Sequence, residues 1–401
     1  MPVTGHTVIV GAGAAGVATA ETLRAENFQG GITIIGEEPL LPYHRPPLAR
    51  QVLSGTWDLG RTLMRTARRF VDNEIDLRLG TSALSVDTEA QSVVLTGEEV
   101  VSYDQLVVAT GVVPRRLPFG PHLRGIHTLR SQYDLIALQE TLARAHRIVI
   151  VGAGFLGTEV ASVLVDRLDV TLINPLPAPM YHQLGPAVGG LIADLHRQRG
   201  VNLINGIDVS DVEGRDGRVW AVHLSDGRTL MADAVLVTIG ADPATDWLQS
   251  SSLALDDGIV CDAFCRAAPN VYAAGDVASW SNLRYGGARM RLEHYSHAVD
   301  HGAAVARNIV GHRPTPFTPL PRFWTDQFEF RLDAYGLLGP NAHIEHVDGL
   351  PGERRFVVLY TLDDQLVGVL GWNHPTRAQL YRHIIYSSWP DAEAIASADP
   401  P

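Results

Sequence analysis

Two glycine constellations carry the first chemistry that can be read from this chain. Residues 8–16 read VIVGAGAAG and residues 149–157 read VIVGAGFLG, identical at seven of nine positions. In Gly11-x-Gly13-x-x-Gly16 the first glycine suits a tight turn and the second lets the backbone approach a pyrophosphate. The third lets a helix pack closely on a strand. Amides and dipole at that helix N-terminus then favour the anion. Glu37 ends the next apolar run, where a carboxylate can accept hydrogen bonds from a ribose. Gly152-x-Gly154-x-x-Gly157 repeats the pattern, but Asn174 stands at the position of the acid, and residues 174–186 hold no arginine for a 2′-phosphate. The first constellation is a dinucleotide site. The second has an intact phosphate site and no adenosine-side discriminator, which leaves a working and an altered site both open.

The elements that must position these turns follow from hydrophobic pattern. Residues 7–10 and 148–151 are apolar, β-branched runs of the kind buried in a parallel sheet. Each leads into a helical pattern, over 14–26 and 155–166, and then into a second apolar run, 32–35 and 170–173. Three further apolar runs end in glycine turns: LVVATG (106–111), VLVTIG (235–240) and VYAAGD (271–276). Short strands with polar turns lie between them, as at 93–95 and 219–224. Pro-rich stretches at 113–121, 174–186 and 313–321 punctuate the chain. Beyond residue 318 the pattern changes to short strands (355–360, 366–370) and a helix from about residue 376. Residues 391–401 read as a frayed end.

Composition removes whole classes of function. The 401 residues suggest two or three domains. All 32 basic residues are arginine, which excludes a Schiff-base lysine, a Walker-type lysine and a kinase strand lysine. The two cysteines, Cys261 and Cys265, are spaced CxxxC, so a disulfide framework, a CxxC redox couple and a four-cysteine metal site are absent. They read as packing thiols. A net charge of −12 argues against nucleic acid. No apolar run approaches the roughly 20 residues of a membrane span, and the N-terminus enters an apolar run without a signal-peptide pattern. A cytoplasmic protein is expected, with any redox chemistry carried by a bound cofactor.

Further motifs are LPYHRPPLARQVLSG (41–55), YDQLVVATG (103–111), VGAGFLGTEVA (151–161), DGIVCD and PNVYAAGDVA within 257–278, RLEHYSHA (291–298) and FWTDQF (323–328). Together they resemble the ferredoxin reductases that serve cytochrome P450s and Rieske oxygenases, the putidaredoxin-reductase-like family, over nearly the whole chain. The resemblance implies an α/β fold of the glutathione-reductase type, with two Rossmann-like dinucleotide-binding domains and a small C-terminal α+β domain. It divides the chain into 1–112 and 241–317 (FAD domain), 113–240 (NAD(P) domain) and 318–401 (C-terminal domain). It implies FAD, with NADH or NADPH as cosubstrate, and leaves monomer or homodimer open.

By the same resemblance FAD is held by Gly11, Gly13, Ala14, Ala15, Gly16, Glu37, Arg45, Pro46, Pro47, Ala83, Ala109, Thr110, Gly111, Arg130, Gly275, Asp276 and the Tyr295 backbone, with Trp324 facing the flavin. Asp276 would bond the ribityl chain. A helix beginning near residues 292–295 would aim its dipole at the flavin pyrimidine. The nicotinamide side falls to Gly152, Gly154, Phe155, Leu156, Gly157, Glu159, Asn174 and Gly240. Arg50 replaces the family's lysine beside the flavin N5 edge and is expected to pair bidentately with Glu159; these two are the candidate catalytic residues.

Two histidine pairs and an arginine-rich segment bear on metals and partners. His294 and His297 with Glu293, and His343 and His346 with Glu345, have histidine spacings seen in metal sites but suit helix capping and opposite strand faces, so no metal is assigned. Residues 44–69 hold six arginines (45, 50, 61, 65, 68, 69) against one acid, Asp58. With Arg289, Arg291, Arg313 and Arg322 they could dock an acidic [2Fe–2S] ferredoxin, or be scattered solvated charges. The function implied is a ferredoxin reductase feeding a P450 or Rieske oxygenase. A quinone, oxygen or small-molecule acceptor, and a flavin-binding sensor with a decayed nicotinamide site, are the alternatives.

Overall fold

The β-branched run near the N-terminus forms a central strand, His6–Val10, in the computed structural model, which describes residues 5–311 and 313–388. Along the chain the helices used below are α1 (Ala14–Ala25), α2 (Ala67–Asp72), α3 (Gln132–Leu142), α4 (Phe155–Leu164), α5 (Tyr181–Gln198), α6 (Tyr295–Val310) and α7 (Pro375–Ser388). Strand His6–Val10 pairs in parallel with Gly31–Gly36 on one side and Gln105–Val108 on the other. Ile75–Leu79 and Val271–Ala273 extend this sheet in parallel, and Arg266–Ala268 adds an antiparallel edge. Val8, Ile9, Leu106 and Val107 are fully buried, as expected for strands covered on both faces.

A second sheet repeats the design. Arg147–Val151 lies between Asp169–Asn174 and Ala234–Val237, flanked by Asn202–Asn205 and Ile126–His127, all parallel. Meanders of three strands accompany each sheet, Ala83–Asp87 to Val100–Ser102 and Val209–Arg215 to Thr229–Met231. Parallel sheets carrying glycine turns into helices are the α/β architecture expected, and the glycine turns sit at the carboxyl ends of the strands, where such folds bind ligands.

The C-terminal part is an antiparallel sheet in the order Arg322–Gln327, Phe330–Gly336, Gln365–Trp372, Arg355–Leu362, His343–Leu350, covered by α7. Pro375 starts α7 one residue before the expected position, consistent with its preference for the first turn. The expected frayed segment 391–401 lies outside the described residues.

Three helices, α2, α3 and α5, have no counterpart in the sequence pattern read above. The Pro-rich stretch 174–186 reads as punctuation, yet α5 begins at Tyr181 and runs through it to Gln198. Gly185 breaks the helical geometry (φ 75°, ψ 172°) and Pro186 resumes it. Proline needs no amide partner at the start of a helical run, so the kink absorbs it.

Candidate functional site

A cavity of about 960 Å³ opens at the carboxyl ends of the first sheet's strands and reaches the head of α4, at the upper end of the range for small-molecule sites. Gly11, Gly13, Ala14, Ala15, Glu37, Arg45, Pro46, Ala83, Ala109, Thr110, Gly111, Arg130, Gly275, Asp276 and Tyr295 line it. So do Phe155, Leu156 and Glu159, which belong to the second glycine motif. Most of the sequence-derived cofactor residues thus line one cavity. Gly16, Arg50, Pro47, Gly152, Gly154, Gly157, Asn174, Gly240 and Trp324 are not part of it.

The first glycine turn has the sterics of a phosphate cradle. Gly11 has φ +121°, and a Cβ there would meet the Ala109 carbonyl oxygen at 2.1 Å; one on Gly16 would meet the Gly11 carbonyl oxygen at 1.9 Å. These two are glycine because the helix and strands close tightly around them. Gly13 differs: a Cβ would meet nothing within 4 Å, and the residue faces the cavity. It is also the N-cap of α1 and supplies no side-chain cap, so the first-turn amides remain for an anion. With Glu37 at the end of Gly31–Gly36, this donor set fits FAD.

Arg130 and Asp276 face each other farther along. A capping box between Ser131 and Asp134 starts α3, and Asp134 Oδ2 also accepts from the Arg130 amide at 2.9 Å. Arg45 donates to the Arg130 carbonyl oxygen at 2.7 Å while its other arm pairs with Glu38 at 2.6 Å. The backbone so fixed, Arg130 Nη2 lies 3.6 Å from Asp276 Oδ2. Burial pushes the Asp276 carboxyl up and Arg130 opposes it. Glu38, adjacent to Glu37, and His44, which shares a 2.5 Å hydrogen bond with the Tyr295 hydroxyl, escaped the sequence reading. Helix α6 does start at Tyr295, with its first turn on the cavity.

The second turn copies the first. Gly152 has φ +106° against the Thr238 carbonyl, a Cβ on Gly157 would meet the Gly152 carbonyl oxygen at 1.9 Å, and Gly154 faces open space as the uncapped N-cap of α4. These residues fit a second pyrophosphate. Asn174 is 3% exposed. It donates to the Leu176 carbonyl oxygen and to Asn205 Oδ1, and accepts from the Leu176 amide. Its amide is consumed by the local turn and is not offered to a ribose. Gly240 (φ +98°) faces Arg115.

The expected Arg50–Glu159 bidentate pair is not formed. Arg50 instead donates to the carbonyl oxygens of Asp326 (2.6 Å) and Phe328 (2.8 Å) and to Ser162 Oγ (3.3 Å). The Glu159 carboxylate accepts from Thr325 Oγ1 at 2.7 Å and from the Asp326 amide at 3.2 Å. The fork of arginine reaches two carbonyls of the hairpin joining Arg322–Gln327 to Phe330–Gly336, and so passes Glu159 by. Burial pushes the Glu159 carboxyl up, against those two hydrogen bonds and the Arg50 charge. Trp324 lies under the Arg331 guanidinium, 5.4 Å from its ring centre, and is not among the residues that line the cavity.

The arginine patch is largely spoken for. Arg45 pairs with Glu38, Arg65 with Glu21, Arg68 with Asp72, Arg291 with Asp257 and Glu293, and Arg322 with Asp300. Arg289 donates to the Cys261 and Ser279 carbonyl oxygens. Both cysteines are buried free thiols, pushed upward by burial, and no cysteine lines the cavity. His294 packs on Phe155 and Phe323, and His297 stacks on Trp280. Among the described residues no group of three or more His, Cys, Asp or Glu is arranged to hold a metal ion, and no helix is long and apolar enough to cross a membrane.

A cavity lined by the first glycine turn and by Phe155, Leu156 and Glu159 of α4, with a second glycine turn of the same build at the head of that helix, marks a reductase that handles two dinucleotides. The chain belongs to the pyridine nucleotide-disulphide oxidoreductase family, whose model matches residues 5–302, and a reductase C-terminal domain matches residues 322–400. Its relatives are ferredoxin reductases of oxygenase systems. It is 34% identical to rhodocoxin reductase of Rhodococcus erythropolis, over 96% of this chain and 90% of that one. It is 32% identical to the ferredoxin–NAD(+) reductase subunit of a benzene 1,2-dioxygenase system of Pseudomonas putida, over 95% and 92%. The fold matches the covalent putidaredoxin reductase–putidaredoxin complex with a TM-score of 0.91 at 29% identity, covering 98% and 96% of the two chains. FAD and NAD(P)H are the family's cofactors.

Proposed function

We propose that this chain takes hydride from NADH or NADPH and passes electrons singly to a [2Fe–2S] ferredoxin serving a P450 or Rieske-type oxygenase. The observation that carries this is the shared cavity, which is lined both by Gly13 and Glu37 and by Phe155, Leu156 and Glu159 of the second motif. Bound FAD supplies the conversion between a two-electron donor and one-electron acceptors. The chain's own residues bind and orient. Gly13 and the first turn of α1 take the FAD pyrophosphate, Glu37 the ribose, and Asp276, held by Arg130, the ribityl chain. Gly154 and the first turn of α4 take the second pyrophosphate.

Glu159 stands where a nicotinamide would approach and presents a desolvated carboxyl to it. Arg50 acts at one remove, holding the C-terminal hairpin against α4. The lack of cysteine in the cavity wall separates this chain from thiol-using members of its family. The reading divides the chain into an FAD domain (1–112 with 241–317), an NAD(P) domain (113–240) and a C-terminal domain (318–401). A cytoplasmic setting is in keeping with two buried free thiols. The test is NAD(P)H-driven cytochrome c reduction with and without an oxygenase ferredoxin. A large ferredoxin-dependent rate supports the proposal; turnover equal with quinone or oxygen alone favours a small-molecule acceptor.

A further inference from the structure

Glu159 is the end of a buried hydrogen-bond chain whose direction can be worked out proton by proton. Thr158 donates its hydroxyl proton to the Gly154 carbonyl oxygen at 2.8 Å. It can therefore only accept from Gln327, 3.0 Å away, so the Gln327 NH2 faces the hydroxyls. The same NH2 reaches Thr325 Oγ1 at 2.8 Å. Thr325 accepts there and has one proton left, which points to Glu159 Oε1 at 2.7 Å. The Gln327 Oε1 then faces His196 Nε2 at 2.9 Å and accepts from it. Thr158, His196, Thr325 and Gln327 are each fully buried, so water does not compete for these groups.

We infer that the chain His196→Gln327→Thr325→Glu159 is the device that positions the Glu159 carboxylate, with Thr325 as its positioning residue. The inference rests on the proposed role of Glu159 in the nicotinamide site. A neutral donor from the C-terminal hairpin thus does what a cation would otherwise do, and Arg50 is free to clamp that hairpin. The arrangement ties the docking of the C-terminal sheet to the site. His196 is kept neutral by burial, which lowers it to about 4, so it always has one proton to give. The charged and titratable groups facing Glu159 are Arg50 from the N-terminal segment and Asp326 from the hairpin. His294, at the start of α6, packs on Phe155 at the head of α4.

The test compares wild type with Thr325→Val and Thr325→Ser in the FAD-loaded protein. The Glu159 carboxyl band is assigned in infrared spectra by its loss in Glu159→Gln, and followed against pH. A hydrogen bond to the charged form lowers a carboxyl pKa. Thr325→Val should therefore raise the Glu159 midpoint by about one pH unit and move the band, and Thr325→Ser should restore both. If valine is not accommodated, Thr325→Ala deletes the same proton. An unchanged band and midpoint in the hydroxyl-free variant, or a serine variant that behaves like it, overturns the inference. The readout does not depend on nicotinamide, so failure of flavin reduction by NADH and NADPH would sink the function while leaving this result standing.

Discussion

Arg50 donates to the Asp326 carbonyl oxygen at 2.6 Å and so joins the Pro-rich segment after Glu37 to the C-terminal sheet. Its second arm, on the Phe328 carbonyl oxygen, makes this a two-pronged clamp that an ammonium cannot copy. Arg50→Lys should lose at least one charge-assisted bond and destabilise the protein by about 1–2 kcal/mol. Urea unfolding of the FAD-loaded variant measures this. An unchanged midpoint would mean that the clamp contributes nothing.

Gly13 and Gly16 are three residues apart and should fail in different ways. Gly13→Ala puts a methyl into the open cradle, so the fold should persist while FAD affinity falls by tenfold or more. Gly16→Ala drives a Cβ against the Gly11 carbonyl oxygen and should cost stability first, by roughly 1–3 kcal/mol. Flavin retention on gel filtration, set beside thermal unfolding of the apoproteins, separates the two. Equal behaviour of both variants would contradict the cradle geometry.

Buried imidazoles should make the protein sensitive to acid. His301 is lowered to about 3 and His196 and His294 to about 4, all mainly by burial, and His297 lies lower than its ordinary value for the same reason. An unfolded histidine takes up a proton near pH 6.5 and these folded ones do not. Stability present above pH 6.5 is therefore lost as pH falls toward 4, by about 1.4 kcal/mol per pH unit for each such group. Asp276 and Glu159, both raised, offset part of that loss. Denaturation midpoints between pH 7 and 4.5 should fall steeply; a flat profile would contradict the burial.

The neutral Asn174 at the strand end presents no charge to a 2′-hydroxyl or 2′-phosphate, and its amide donor is already bonded to Leu176 and Asn205. The kcat/KM values for NADH and NADPH should then lie within about tenfold, or 1.4 kcal/mol, of each other. Asn174→Asp would set a carboxylate against the Leu176 and Asn205 oxygens, and should destabilise by about 1–3 kcal/mol. A strong native preference for either coenzyme would show that another residue reads the adenosine.

How much of this was in the sequence depends on the kind of constraint. Both glycine turns were legible because steric closure at Gly11 and Gly16, and at Gly152 and Gly157, leaves no other residue type. The strands were legible because burial on both faces demands continuous apolar runs. The partner of Arg50 was not: whether its fork meets Glu159 or two hairpin carbonyls is decided by tertiary register, which no local pattern encodes. The signal for Thr325 and Gln327 was nonetheless present in FWTDQF, two uncharged polar residues at strand spacing that proved fully buried. Helix α5 was hidden by Pro186, which reads as a break until Gly185 is seen to take up the kink.

The most direct test of the account is anaerobic rapid mixing of the FAD-loaded protein with NADH and, separately, NADPH, followed at the flavin absorbance band. The shared cavity predicts rapid bleaching with at least one of them. A band that stays unbleached with both, while dithionite still reduces it, would contradict the account and leave a flavin-binding protein without a working nicotinamide site.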